Sequence, residues 1–283
     1  MSPLDVTSPR LIFGCGYLGQ RVADLWRGSG HRVAALTRGN ADALRASGIA
    51  PITGDVLDPD SLRTLPAAST VLYAVGIDRS AGKTMREVYV NGLANVLDAL
   101  PPGGRFIYIS STSVYGQSDG EWVTEASPTE PTEESGKVVL EAEQLLRAKR
   151  PDAIVLRSAG LYGPDRLLRK QPTLKGDPLT GDVDKWLNLV HVADAASAVL
   201  CAESRGVPGE TYNIADGTPV SRRAFYTRLA ELLYAPEATF DHRAEPGAPN
   251  RRIDATKFRA LGWAPGFANY REGLTAAVAE STM

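Results

Sequence analysis

Short apolar runs alternate with stretches of helical period along the first half of the chain. Arg10-Leu-Ile-Phe13 is one such run and passes directly into Gly14-Cys-Gly-Tyr-Leu-Gly19. Apolar positions then recur at helical spacing (Leu18, Val22, Leu25, Trp26) until Gly28-Ser-Gly30 stops the helix. Residues 33–36, 50–53, 71–75, 105–110 and 153–157 read as further strands. Leu44 sits in a short helix. Val88, Leu93, Val96, Leu97 and Leu100 line a longer one, stopped by Pro101-Pro-Gly-Gly104, and a third runs from about residue 133 to 149. Short strands separated by helices predict an α/β fold, with βαβ units and a parallel sheet covered on both faces.

After Gly163-Pro164 the texture changes. Residues 166–184, rich in Pro, Gly and charge, read as a loop region, and 187–192 and 211–214 as strands flanking a helix at 193–203. Residues 221–283 read as helical with interruptions at Pro236, Pro246 and Pro249. The expected organisation is a dinucleotide-binding domain over 1–165, to which 187–214 returns. The remaining segments of 166–283 make a small substrate-binding cap.

With 283 residues the chain has room for one large domain or two smaller ones, and 43% apolar with 23% charged residues suits a folded protein. A formal charge of −2 argues against a nucleic-acid or anionic-membrane surface. Met1 to Arg10 lacks the apolar stretch of a signal peptide, and residues 71–77, the longest apolar run, fall far short of a bilayer span. Cys15, Cys201 and the three histidines (His31, His191, His242) form neither a disulfide framework nor a zinc constellation. The expectation is a cytoplasmic protein that works without a metal, nucleic acid or membrane on a small-molecule substrate. A homodimer is left open.

Gly14-x-Gly16-x-x-Gly19 between strand and helix is the chemically informative motif. The first glycine permits the tight turn, the second lets a pyrophosphate approach the backbone, and the third lets helix pack on strand. Tyr17 and Leu18 complete the expected cofactor-binding turn, and Cys15 reads as a small filler. An acid at the end of the second strand would favour NAD, but here the strand ends Leu36-Thr37-Arg38-Gly39. A guanidinium suits a 2′-phosphate, so NADP is expected, with NAD the alternative. Asp55 and Val56 after the third strand are expected near the adenine.

These motifs, together with Ile109-Ser-Ser-Thr-Ser-Val-Tyr-Gly116, Leu156-Arg-Ser-Ala-Gly-Leu-Tyr-Gly-Pro164, Leu189-Val-His-Val-Ala-Asp194, Thr211-Tyr-Asn-Ile214 and Leu261-Gly-Trp263, resemble the extended short-chain dehydrogenase/reductase superfamily, NAD(P)-dependent epimerase/dehydratase group. The resemblance implies a Rossmann, doubly wound parallel sheet of about seven strands with the active site between it and the cap. It further implies a Ser or Thr after the fifth strand and a Tyr-x-x-x-Lys on the next helix, four-residue spacing placing both on one face. The Ser/Thr falls on Ser111, with substrate-binding Thr112 beside it. The lysine falls on Lys137, and Glu141 matches the acid four residues later. The tyrosine position holds Glu133. Tyr89 stands where the group's active-site Asn would be, a pattern similar to the superfamily's atypical members.

Three readings follow. Glu133 is itself the acid/base, as a carboxyl shielded from water can be near neutrality; or Tyr115 serves instead; or proton transfer is absent and the chain senses NADP(H). Arg251, in Arg251-x-x-Asp254, occupies the place where nucleotide-sugar epimerases hold a phosphate, although a surface salt-bridge run is an equal reading. His191 reads as a packed structural residue, and Trp122, Tyr162 and Trp186 as core or cleft lining.

Overall fold

The computed structural model describes residues 8–281. A seven-stranded sheet is built from β1 (Arg10–Phe13), β2 (Val33–Thr37), β3 (Ala50–Thr53), β4 (Thr70–Tyr73), β5 (Arg105–Ser111), β6 (Ile154–Ser158) and β7 (Thr211–Ile214). Its order is β7-β6-β5-β4-β1-β2-β3. β1 pairs in parallel with β2 and β4, and the parallel pairs β2/β3 and β4/β5 extend the sheet. Helices α1 (Tyr17–Gly28), α2 (Ala41–Ala46), α3 (Gly92–Ala99) and α4 (Glu134–Lys149) cover it. The expected doubly wound Rossmann architecture is present. A parallel sheet buried on both faces demands apolar runs rather than alternation, and β4 with its four buried residues shows why these strands were legible.

The chain divides into two compact units, each with its own core. The first contains the chain through Ser113, Glu133–Arg157 and Ala196–Tyr212. Leu11, Phe13, Leu93, Phe106, Ala142 and Leu146 are fully buried in its core. Tyr73 stacks on Phe13 and Tyr108 with centroids 6.0 and 5.8 Å apart. Glu203 ties three segments of this unit together, accepting from Arg10 Nε at 2.9 Å, Trp26 Nε1 at 2.7 Å and Thr70 Oγ1 at 2.7 Å.

The second unit contains Val114–Thr132, Ser158–Ala195 and the chain from Asn213 onward. Its core gathers Tyr162, Leu189, Phe225, Leu229, Tyr270 and Leu274. The excursion 114–132, which the sequence reading placed with the first domain, belongs here. The stretch read as loop carries a helix, Lys170–Lys175, and a strand, Leu179–Gly181, parallel to Phe240–His242. Another parallel pair joins Trp122–Val123 to Arg252–Ile253. Strands of two or three residues are too short to display a period, so the helical reading of 221–283 missed those within it. Among the described residues no helix is long and apolar enough to cross a membrane.

Candidate functional site

Phe13 on β1 lies opposite Leu36 on β2 and Tyr73 on β4, so the loops after these strands leave the same edge of the sheet. Open α/β sheets bind ligands at that carboxyl edge. The chain turns at Gly14, whose φ of 88° is in the left-handed region, and a methyl group there would overlap the Ala74 carbonyl. A methyl on Gly19 would overlap the Gly14 carbonyl, so helix and turn touch. Gly16 differs: it is exposed, and a Cβ added to it meets nothing within 4 Å. α1 starts there with no side-chain cap bond and no acidic residue in its first turn. Its leading N–H groups and positive potential therefore face an opening fit for an anion, and the residues suit a dinucleotide pyrophosphate.

The rest of the turn is packed. Leu18 is buried, and Tyr17 lies under the Arg21 guanidinium, 4.4 Å from the ring centroid. Burial, with Asp24 adding to it, pushes the Cys15 thiol up to about 11, which keeps it neutral and suits a filler role.

Arg38 follows β2 on a loop pinned by the Thr37 hydroxyl, which accepts from Gly39 N at 3.4 Å and Asn40 N at 3.0 Å. Its Nη2 donates to Asp78 Oδ2 at 3.1 Å. The Ser80 hydroxyl and N–H also bind Asp78, and with Arg38 they hold its carboxyl below the usual range. Asp55 Oδ1 accepts the Leu57 N–H at 2.9 Å. Val56 is buried against Gly92, where a Cβ would stand 2.9 Å from its Cγ2.

Ser111 ends β5, and its Oγ accepts the Ser113 N–H at 3.1 Å; Thr112 beside it is buried. Glu133 is exposed and immediately precedes α4 in extended conformation. Lys137, one turn on, is exposed with Nζ 3.5 Å from Glu134. Glu141 holds Arg86 through two prongs, at 2.7 Å to Nη2 and 3.1 Å to Nε. The buried acid of α4 is instead Glu143, which accepts from the Ser110 hydroxyl and from Arg157 Nε and Nη2 at 3.0 and 2.7 Å. Sequence reasoning passed over this cluster. The available signal was Arg157 within an apolar strand, since a buried guanidinium needs a carboxylate. Tyr89 sits in a π-helical turn, Glu87–Asn91, and its hydroxyl accepts the Ile77 N–H at 3.3 Å.

In the second unit Tyr115 is fully buried and donates its hydroxyl to Asn213 Oδ1 at 2.8 Å. Asn213 in turn donates Nδ2 to the Asp254 carbonyl at 3.1 Å and its N–H to Glu125 at 2.7 Å. Arg251 presents its carbonyl to Asn188 Nδ2 at 2.8 Å. The guanidinium of neighbouring Arg252 lies between Trp122 and Trp186, 5.2 and 5.4 Å from the ring centroids. His191 is buried edge-on to Tyr162 and Phe267, with centroids 5.4 and 4.4 Å away, as a packed residue. Ligand atoms of Asp182, Asp184 and His242 come within 4.8 Å of one another, a grouping the spacing did not reveal. Arg223 already pairs with Asp184 at 3.5 Å.

A model of the NAD dependent epimerase/dehydratase family matches residues 11–215, from β1 past the end of β7. The chain belongs to the NAD-dependent epimerase/dehydratase family. Protein YeeZ of Escherichia coli K12 is 30% identical over 249 residues, covering 83% of this chain and 88% of that protein. A dTDP-glucose 4,6-dehydratase of Streptomyces griseus is 29% identical over 254 residues, covering 80% and 75%. In fold, the chain matches the dTDP-glucose 4,6-dehydratase DesIV of Streptomyces venezuelae, crystallised with NAD, at a TM-score of 0.82 over 95% of each chain and 24% identity. Membership in the epimerase/dehydratase family supports a nicotinamide cofactor.

Proposed function

We propose that this epimerase/dehydratase family member is an NADP-dependent oxidoreductase or epimerase acting on a small carbonyl or sugar-like substrate. The observation that carries the reading is Arg38, an exposed guanidinium following β2, one strand away from the open turn at Gly16. A bound nicotinamide supplies hydride exchange. The chain's own residues bind and orient. The Gly16 backbone and the start of α1 take the pyrophosphate, Arg38 takes a 2′-phosphate, and Lys137 holds a ribose. Ser111, with Thr112 beside it, orients a substrate oxygen. The Tyr115 hydroxyl is already donated to Asn213, which leaves Glu133 as the proton carrier; because Glu133 is exposed, the shielding from water expected of it has to come from bound cofactor and substrate. The sugar-like substrate draws support from the Streptomyces griseus relative named for dTDP-glucose.

A second reading, a non-catalytic NADP(H)-responsive regulator, is favoured by Lys137 lying exposed beside Glu134. Titration of NADPH fluorescence, followed by hydride exchange against a panel of carbonyls and nucleotide sugars, separates the two. The enzyme reading expects turnover that Glu133→Gln abolishes and Tyr115→Phe, if it folds, retains. Tight NADPH binding with no turnover across the panel would support the regulator instead.

A further inference from the structure

The sheet order β4-β1-β2 sets the β1 end, where the glycine turn begins, between the ends of its two neighbours. The Arg38–Asp78 ion pair joins the loop after β2 to the loop after β4, so it reaches past that turn from one flank to the other. Both partners are held for this contact. Arg38 sits on the loop fixed by Thr37, and Asp78 Oδ1 accepts the Ser80 N–H at 3.0 Å and the Ser80 hydroxyl at 2.6 Å. The other carboxylate oxygen, Oδ2, is left directed at Arg38. Side chains 57% and 47% exposed contribute little to folding through such a pair, so its consequence lies in what else the guanidinium can bind.

We propose that Asp78 sets the chain's choice between phosphorylated and unphosphorylated dinucleotide by occupying Arg38, from which a 2′-phosphate must displace it. The inference rests on the reading of Arg38 as the 2′-phosphate residue and adds the competitor. A phosphate monoester carries more charge than a carboxylate and matches the guanidinium fork with two oxygens, so it wins the exchange, but against an internal opponent. A free 2′-hydroxyl leaves the ion pair intact. The wild-type chain therefore admits both dinucleotides, with a narrower preference for NADP than an unopposed arginine would confer.

Dissociation constants for NADPH and NADH, measured by ligand fluorescence and calorimetry on the full chain, test this without any substrate. Asp78→Asn is expected to tighten NADPH about tenfold, the size of one charge-assisted hydrogen bond gained. NADH should move less than about threefold, because no charged group is recovered for a neutral hydroxyl. On an Arg38→Ala background the same substitution should leave NADPH within about threefold, since the two residues act through one contact. An NADPH/NADH ratio unmoved by Asp78→Asn, or a tightening that survives in Arg38→Ala, would overturn the inference while leaving dinucleotide binding intact. If neither dinucleotide binds the wild-type chain, the underlying function fails, and the role of Asp78 fails with it.

Discussion

Arg157 on β6 and Glu143 on α4 meet in a buried two-pronged ion pair, with the Ser110 hydroxyl on the same carboxylate. The cluster fixes helix, strand and the end of β5 just before Ser111. Removing one partner leaves a buried charge uncompensated, so Glu143→Gln should cost about 3 kcal/mol of stability in urea unfolding. Replacing both partners by apolar residues, Glu143→Leu with Arg157→Met, should recover more than half of that loss. A double variant as unstable as the single one would show that the pair does more than cancel charge.

Gly14 and Gly16 should separate folding from binding. Gly14→Ala forces a methyl onto the Ala74 carbonyl at a left-handed φ, and is expected to destabilise by roughly 2–4 kcal/mol. A Cβ on Gly16 meets nothing within 4 Å beyond its own chain neighbours, among the described residues. The melting temperature of Gly16→Ala should stay near wild type while NADPH binding weakens at least about tenfold, because in the proposed binding mode the methyl stands where the pyrophosphate approaches. Thermal unfolding and fluorescence titration of the two variants check the contrast.

Gly273 packs so close to the Tyr162 ring that a methyl on it would overlap the tyrosine hydroxyl. That hydroxyl is itself buried without a hydrogen-bond partner among the described residues. Gly→Ala within a helix ordinarily gains about 1 kcal/mol, but overpacking costs about 1–3 kcal/mol and should win here. Gly273→Ala is therefore destabilising. Tyr162→Phe alone should be near neutral, since only an unsatisfied oxygen is lost. The double variant should recover part of the loss, because the ring carbon Cζ still lies 3.0 Å from the added methyl position. A double-mutant cycle in denaturant reads the coupling.

Asp216 is 4% exposed, accepts the Thr218 N–H on Oδ1 at 2.9 Å and leaves Oδ2 without a hydrogen-bond partner among the described residues. Burial raises its pKa from 3.8 to about 6, against the opposing hydrogen bonds from Thr218. The folded chain holds this proton more tightly than the unfolded one. The associated stability is complete below about pH 4 and lost as pH rises through about 6. At pH 8 Asp216→Asn should accordingly be more stable than wild type by on the order of 2 kcal/mol, an advantage that fades towards pH 4. Urea unfolding at both pH values tests it, and a gain of equal size at pH 4 would refute the titration.

The first unit was legible because its central strands are buried on both faces and its motif is local. Ile12 and Leu72 are fully buried, and a glycine pattern of six residues specifies its own turn. The short strands of the second unit left no such trace: Trp122–Val123 pairs with Arg252–Ile253, some 130 residues away, and two residues have no measurable period. The buried acid of α4 left no trace for a related reason. Glu141 and Glu143 are equivalent in composition and differ only in the face they occupy. The face of α4 turned to the sheet decides which is buried: there Glu143 meets Ser110 and Arg157, while Glu141 meets Arg86.

By itself, the sequence determined the alternation of strand and helix, the glycine turn and the residue types available for chemistry, because each is encoded within a dozen neighbouring positions. Only the tertiary structure decided which charges meet. Arg38 and Asp78 are forty residues apart and become partners because β2 and β4 flank β1. Tyr115 becomes a buried donor to Asn213 because folding brings two distant segments together. Ion pairs and hydrogen bonds act over a few ångströms, and distance along the chain does not report that separation.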